Sequence, residues 1–553
     1  MSSSRLPRSR RALSFILFRL VPLLMLLACV VFAVQLLDSF IARTNEQSTA
    51  QRRQPLFEQT ATALAASAVE SATPAPSDQG RGESRNLQLV SWNRPADLNL
   101  QFETNTPQPA SEATQPPAPT AVPTVEMTLP ASEPTRPLPT VYFYSGPVAA
   151  EAGGTAVPTA VQPLDRYGND LMNIALLGHD GELTEDGFIR TDTIIIVSIN
   201  RTTGTVAMLT LPRDLYVYIP GWTMQRINLA YIHGETGGWT DGGFGLLRQT
   251  LLYNLGINIH YYAMVNLTGF KAIVDSIGGV DLAVDCAIED LPLIEAEVPA
   301  GAVPSTNEDY YVLPVGYYHM SGAEALWYAR SRHSSSDFDR GRRQQQLLRA
   351  IWRKARDTGL LSNVIPMWNE GGQYVETNLA LEDILGLVPL ALSIDSSQID
   401  NYRLARTYHT IPWQPPDGSN VQLPVYDTMR QLLQDFYTPP TENQLQFRAA
   451  AVHVYNGSGN TDWDRVAAER LAWDGIGAIG MGPSSEQVGE ASILIDYTGR
   501  TKGSSAERIA RVLNILPENI RQQPDPNRTV DFEVILGSGY TSCIEDGVLA
   551  VGG

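Results

Sequence analysis

Positive charge is scarce in this chain, and lysine is scarcest of all. Its 553 residues carry 40 basic against 59 acidic side chains, a formal charge of −19. Only Lys271, Lys354 and Lys502 are lysine, so 40 − 3 leaves 37 Arg. The acidic balance argues against nucleic acid as a partner, because a phosphate backbone is met by a basic footprint. The Arg excess follows either from genomic base composition or from a need for guanidinium forks. Cysteine is also short: three residues cannot build a disulfide framework. Cys29 lies in an apolar run, while Cys286 and Cys543 either pair in an oxidising compartment or stand as two thiols. The absence of any Cys-x-x-Cys pair or Cys/His cluster argues against zinc. Charged residues make up 18%, below the roughly 25% usual for a globular chain. Part of the length therefore reads as spacer, leaving room for roughly two or three domains.

Residues 1–12 carry Arg5, Arg8, Arg10 and Arg11 and no acid, and read as a cytoplasmic tail. Residues 13–37 form a long apolar run broken mainly by Arg19, Pro22 and Gln35. A bilayer core takes about 20 apolar residues as helix, and Arg19 can snorkel to the head groups. The expectation is an uncleaved signal-anchor, a single transmembrane helix with the bulk of the chain extracytoplasmic. A cleaved signal peptide fits less well, since no clear A-x-A site follows the run. Residues 38–165 read as a disordered Pro-rich extracytoplasmic linker, with 13 Pro between Pro107 and Pro163. Leu87–Trp92 and Val141–Tyr144 are patches that could order locally or dock.

From Leu171 the patterning sharpens. Met172–Leu177, Thr193–Ile199 and Val206–Leu211 read as buried strands, the last two joined by a hairpin-like Thr202-Thr203-Gly204. Phe244–Leu255 has helical spacing and Tyr261–Val265 strand character. Leu267–Ile277 is a helix ended by Gly278-Gly279, and Val280–Val284 follows as strand. Ser321 and Glu324 form a capping-box start, and a longer helix runs from about Arg340 to Thr358. Strands and helices so mixed imply an α/β fold, a sheet covered by helices.

Polar residues gather where the buried strands end, which is where α/β sheets meet ligands. Asp180 follows the first strand, Arg190-Thr191-Asp192 leads into the second, and Arg213-Asp214 follows the third. A fourth set is Arg330, Arg332, Asp337, Asp339, Arg340, Arg342, Arg343 and Gln344. Arg330 and Arg332 are two apart, so an extended backbone would aim both to one side. Arg340 and Gln344 share a helical face. Arginine forks match phosphate oxygens, and paired carboxylates suit Mg²⁺, which also takes water and phosphate oxygens. The plainer alternative is a surface salt-bridge network, since Arg and Asp alternate through this segment.

The ordered set GHD (178–180), RTDTIIIVSI (190–199), LPRDLYV (211–217), RINLAY (226–231), GGVDLAV (278–284) and YARSRHSSSDFDRGRRQQQLL (328–348) resembles the LytR-CpsA-Psr family. The resemblance implies an α-β-α sandwich with a mixed central sheet over 166–440, including a C-terminal helical extension. It implies a phosphotransferase moving a glycopolymer from a polyprenyl-pyrophosphate carrier onto peptidoglycan. Asp180 and Asp192 would then hold Mg²⁺ or another divalent cation. Arg190, Arg213, Arg330 and Arg332 would be catalytic, with Asp214 and Asp337 orienting an Arg or taking a proton. Arg340, Gln344 and Asn228 would bind the pyrophosphate substrate. The first motif departs from the family pattern: Gly-Ser-Asp followed shortly by Arg is here Gly178-His179-Asp180-Gly181-Glu182, so an early phosphate contact is in doubt. Residues 449–541 resemble a LytR C-terminal domain, and read independently as a small α/β module of βαβαβ type. Its Gly-rich turn Asn456-Gly457-Ser458-Gly459 could cradle phosphate but reads better as a structural turn, and the module is assigned wall or partner binding.

Three other functions fit parts of the pattern. Water as acceptor would make the chain a polyprenyl-pyrophosphate phosphatase. A non-catalytic glycan- or lipid-binding wall protein would use the same residues without turnover. A transcriptional regulator fits poorly, because the expected anchor leaves too short a cytoplasmic tail for a DNA-binding domain.

Overall fold

The computed structural model describes residue 138 and residues 143–543, apart from 182–188, 308, 334, 364, 366–367, 369–371, 442–443, 446–447 and 500–504. The expected cytoplasmic tail and transmembrane helix, and most of the expected linker, lie outside the described residues. Among the described residues, no helix is long and apolar enough to cross a membrane.

The central domain is built on β1 (Leu171–His179), β2 (Thr191–Asn200), β3 (Thr205–Leu211), β4 (Tyr261–Asn266), β5 (Val280–Val284), β6 (Gly316–Met320), β7 (Glu376–Thr377) and β8 (Ile399–Arg403). Its helices are α1 (Ala230–Thr236), α2 (Gly242–Leu255), α3 (Leu267–Ser276), α4 (Gly322–Arg330), α5 (Asp337–Asp357), α6 (Leu381–Ser393) and α7 (Tyr426–Tyr437). Six strands form one mixed sheet in the order β7-β4-β1-β2-β3-β8. Neighbours β1, β2 and β3 run antiparallel, while β4 joins β1 and β8 joins β3 in parallel.

Alternation along the strands explains the layers. Ile194, Ile196, Leu209 and Leu211 face one side, where they pack with Leu247 and Leu251 of α2 and Met429 and Leu433 of α7. Ile195 and Met208 face the other side with Leu348 and Trp352 of α5, and Ile174 and Ile199 pack there with Leu387 and Leu390 of α6. Helices on both faces make the expected α-β-α sandwich, which is why these strands read as unbroken apolar runs.

Two boundaries and one topology differ from the sequence reading. The folded body begins before residue 166: Glu151–Ala152 and Thr155–Ala156 pair as a hairpin, and Tyr216 and Tyr253 donate to the carbonyls of Gly153 and Pro158. Apolar Ala152 and Val157 pack on that tyrosine cluster, so this end of the Pro-rich stretch does bury apolar surface. Helix α5 starts three residues earlier than Arg340, because Ser336 and Asp339 close a capping box that periodicity did not reveal. The third difference is in the C-terminal module.

That module holds β9 (Val452–Asn456), β10 (Ala478–Pro483), β11 (Ile493–Asp496), β12 (Ile520–Gln522) and β13 (Phe532–Leu536), with helices α8 (Trp463–Trp473) and α9 (Ala506–Val512). Five strands in the order β10-β9-β13-β11-β12 replace the simpler βαβαβ expectation. β10 alternates half-buried and exposed residues and β12 spans only three, so neither shows a buried apolar run. The module is fastened to the central domain by Arg353 with Glu469, by Arg349 donating to the Ala472 carbonyl at 3.0 Å, and by a disulfide between Cys286 and Cys543. Beside that disulfide, Asp285 and Arg342 form a buried ion pair, and Ser542 donates to the Asp285 carbonyl at 2.6 Å.

Candidate active site

Strand β1 ends, β2 begins and β3 ends at the same edge of the sheet, because β2 is antiparallel to both. The register of β1 on β2 shifts between Gly178 and His179, so Thr193 faces Gly178, Thr191 faces His179 and Asp192 has no partner across the ladder. A bulge of this kind re-aims a side chain next to a functional edge. Here it frees the Asp192 carboxylate from the pleat.

Asp192 is the hub. Its Oδ2 accepts from Arg213 Nη1 at 2.8 Å, its Oδ1 from Asn228 Nδ2 at 3.0 Å, and its carbonyl from Arg340 Nη2 at 3.2 Å. Asp337, at the first position of α5, lies looser: Arg332 and Arg340 stand 3.4 Å from its Oδ1, and Arg213 Nε is 3.9 Å from its Oδ2. The helix N-terminus adds its own positive potential to these guanidinium groups.

The electrostatics are lopsided. Burial pushes the Arg340 guanidinium down to about 10, and Arg213 and Arg332 add to the effect against Asp337 and Asp192. Asp337 is held below the ordinary carboxylate range, since Arg340, Arg213 and Arg332 outweigh its burial. Asp214 moves the other way: burial first, then Asp337, raises it, and its Oδ1 is buried without a hydrogen-bond partner. Asp180 is likewise raised by burial and by the nearby Asp192, and its Oδ1 too is buried and unpartnered. His179 Nδ1 accepts from the Gly181 amide at 3.2 Å and shapes the turn around Asp180. Arg190 acts on the Asp180 carboxyl electrostatically.

The edge thus assembles Asp180, Arg190, Asp192, Arg213, Asp214, Asn228, Arg332, Asp337 and Arg340. Arg330 departs from the expectation that it would share a side with Arg332. It is the last residue of α4, and its Nη2 binds Glu297 Oε2 at 2.6 Å and the Leu291 carbonyl at 3.2 Å. The two Arg diverge because helix, not strand, runs up to Arg330. Gln344 does share a face with Arg340, and its amide is engaged with Thr193 Oγ1 and the Ala329 carbonyl. Asn228 gives its amide to Asp192, which makes it an orienting residue in this geometry.

Arg343 was not singled out for a role in the sequence. Its guanidinium donates to the carbonyls of Tyr328 and Ser331 and to Ser335 Oγ, bracing the loop that carries Arg332. Asp290 fixes the same loop by accepting the Arg332 amide at 2.6 Å. The Arg-rich run was the signal for Arg343; nothing local marked Asp290.

Two carboxylates, one of them with an orphaned buried oxygen, suit a divalent cation. Among the described residues, no group of three or more His, Cys, Asp or Glu is gathered for a metal. Mg²⁺ fits that thin donor set, since it commonly takes one or two carboxylates and keeps water and phosphate oxygens.

A family model matches residues 149–434, that of the LytR_cpsA_psr family. The chain belongs to this family. The matched stretch starts where the early hairpin does and ends within α7. The chain is 30% identical over 243 residues to the polyisoprenyl-teichoic acid–peptidoglycan teichoic acid transferase TagT of Bacillus subtilis, covering 42% of this chain and 69% of that one. It is 32% identical over 222 residues to the transferase TagU of Oceanobacillus iheyensis, covering 40% and 62%. It is 35% identical over 182 residues to the regulatory protein MsrR of Staphylococcus aureus, covering 32% and 48%. The chain therefore spans between about half and about two thirds of these relatives.

Proposed function

We propose that this chain is a membrane-anchored, extracytoplasmic phosphotransferase that moves a glycopolymer phosphate from a polyprenyl-pyrophosphate carrier onto peptidoglycan. Family membership and two relatives named as teichoic acid–peptidoglycan transferases support the class of reaction. The single observation that carries the site is the meeting of Arg213, Arg332 and Arg340 over Asp192 and Asp337 at one sheet edge. Three guanidinium groups held loosely by one carboxylate can exchange it for the oxygens of a diphosphate.

In this reading a wall hydroxyl attacks the phosphorus on the glycan side. A new P–O bond forms, the bridging P–O bond breaks, and polyprenyl phosphate leaves with the electron pair. Arg213, Arg332 and Arg340 stabilise the negative charge that gathers on the bridging oxygen and leaving phosphate. Asp214 takes the hydroxyl proton. Its raised carboxyl and unpartnered Oδ1 fit a base facing an incoming O–H. Asp180 and Asp192 would hold Mg²⁺, which when bound neutralises pyrophosphate charge. Asn228 orients Asp192, and Arg343 and Asp290 hold the loop bearing Arg332. The Cys286–Cys543 disulfide suits an oxidising compartment.

The test incubates the full-length chain with a lipid-linked glycan, with and without peptidoglycan. Release of polyprenyl phosphate only with acceptor supports transfer. Equal release without acceptor would make the chain a phosphatase, and no release in either arm would leave a binding protein.

A further inference from the structure

A hollow lies at the seam between the two modules and shares no residue with the site above. It has a volume of ≈ 400 Å³ and is lined by Pro314, Gly316, Tyr317 and Tyr318 on one side and by the segment 460–463 on the other. We propose that this cleft binds an uncharged oligosaccharide strand, one or two sugar rings at a time.

Its walls are preformed. On the central-domain side, β6 is locked to β5 along its whole length, and Tyr318 donates to the Pro314 carbonyl at 3.0 Å. On the other side, Asn456 Oδ1 accepts from the amide and hydroxyl of Ser458, and its Nδ2 donates to the Asn460 carbonyl at 2.6 Å. The rim from 456 to 460 is therefore stiffened by its own hydrogen bonds. Asp462 then takes a left-handed conformation, φ 59°, that starts α8 at Trp463. Arg465 of α8 lies 3.6 Å over the ring of Tyr317 and joins the two walls. The disulfide and the Arg353–Glu469 pair hold the same seam.

Size and chemistry decide the occupant. The volume lies within the roughly 300–1,000 Å³ of small-ligand sites, which favour domain seams and combine aromatic walls with few polar groups. A pyranose ring offers apolar C–H faces to Tyr318 and Trp463, and hydroxyls around its edge. Asn460, Thr461 and Asp462 set amide, hydroxyl and carboxylate groups at the rim, the last a pure acceptor suited to sugar O–H donors. The lining itself carries no Lys or Arg; the nearby Arg465 is stacked on Tyr317 and stands 4.0 Å from Asp462 Oδ1, so its charge is already met within the protein, and a chain charge of −19 disfavours a phosphate polymer. The cleft therefore fits the neutral sugar backbone of a glycan rather than a polyanion. This inference does not rest on phosphoryl transfer.

The experiment titrates the full-length, oxidised chain with tri-N-acetylchitotriose, a glycerol-phosphate oligomer and a peptidoglycan stem pentapeptide, read by tryptophan fluorescence and calorimetry. Saturable binding of chitotriose alone is expected. Asn460→Ala with Thr461→Ala, both exposed and clear of the core, should weaken it at least about tenfold at unchanged melting temperature. Trp463→Leu should abolish it. Because Trp463 also packs on the module core, the rim double variant is the deciding one. No saturable chitotriose binding, binding indifferent to the rim variant, or preference for the phosphate oligomer or the peptide would each overturn the proposal. A chain that transfers glycan yet fails here loses this cleft and keeps its reaction.

Discussion

Arg340 donates to the backbone carbonyl of Asp192 at 3.2 Å, across 148 residues of sequence. The bond fastens the first turn of α5 to the start of β2, and brings the charges of both elements to one point. Arg340 is almost fully buried, and burial has already drawn its guanidinium down to about 10. With Asp337 loosely held at 3.4 Å and two like charges nearby, this buried cation gains from a further anion, which a bound diphosphate would supply.

Replacing Arg340 by Met removes that charge while keeping most of the stem volume. Transfer should fall by roughly a hundredfold or more, the scale of losing one preorganised donor to a developing charge. Melting temperature should fall modestly, because the bond to the Asp192 carbonyl is lost while Arg213 and Arg332 remain to face Asp337. Paired transfer assays and thermal scans check this. Full activity in the variant would remove Arg340 from the site.

Asp214 gives a pH signature. Its folded value is raised by burial and by Asp337, so the neutral form is the one the fold favours. The stability tied to that proton is fully present below the unfolded value of about 3.9 and is lost as pH rises through the raised folded value. Asp214→Asn should therefore raise the melting temperature at pH 7 and make little difference near pH 3. The same variant should lose transfer, and the acid limb of the wild-type rate profile should sit above the ordinary carboxylate range. A variant that transfers normally would show that another group takes the proton.

The sandwich was legible in the sequence because its strands are buried on both faces and its helices carry strong stops. The edge residues were legible as strand-end polars, and the motif order grouped them. What they touch was not. Arg330 and Arg332 looked like a pair until helix α4 ran through the first of them and sent it to Glu297. Asn228 and Gln344 read as ligand contacts, yet their amides hold Asp192 and Thr193. Glu297 and Asp290 come from loops far off in sequence, and no local pattern marks such partners. The early hairpin was hidden for another reason: its apolar residues are few, and a cluster on other elements, with Tyr216, Tyr218, Met224 and Tyr253, makes its burial worthwhile.

Asp180 tests the cation without any assay of turnover. Its Oδ1 is buried and unpartnered, and burial together with Asp192 disfavours its charged form. A ligand that binds only the folded chain stabilises it by about 2.7 kcal/mol at a hundredfold excess over its dissociation constant. Mg²⁺ should therefore raise the melting temperature of the wild type, and a chelator should reverse the shift. In Asp180→Ala the response should vanish, while the apo form melts no lower than wild-type apo. An equal Mg²⁺ response in both proteins would place the cation elsewhere.

The disulfide between Cys286 and Cys543 closes a loop of 257 residues, so its effect falls mainly on the unfolded chain. Loop-closure arguments allow up to about 5 kcal/mol for so long a loop, and measured native bridges commonly give about 2–5 kcal/mol. It also holds the last described residues against Asp285, whose carbonyl accepts from Ser542. Burial would raise the Asp285 carboxyl, but the buried Arg342 more than offsets this and holds it low. Cys286→Ser with Cys543→Ser should lower the melting temperature clearly and expose the C-terminal module to protease first. Reductant should do the same to the wild type and nothing further to the double variant. Transfer at low temperature should survive, since the bridge touches none of the Asp192 group. Identical melting of oxidised and reduced wild type would mean that the Arg349 and Arg353 contacts hold the modules without the bridge.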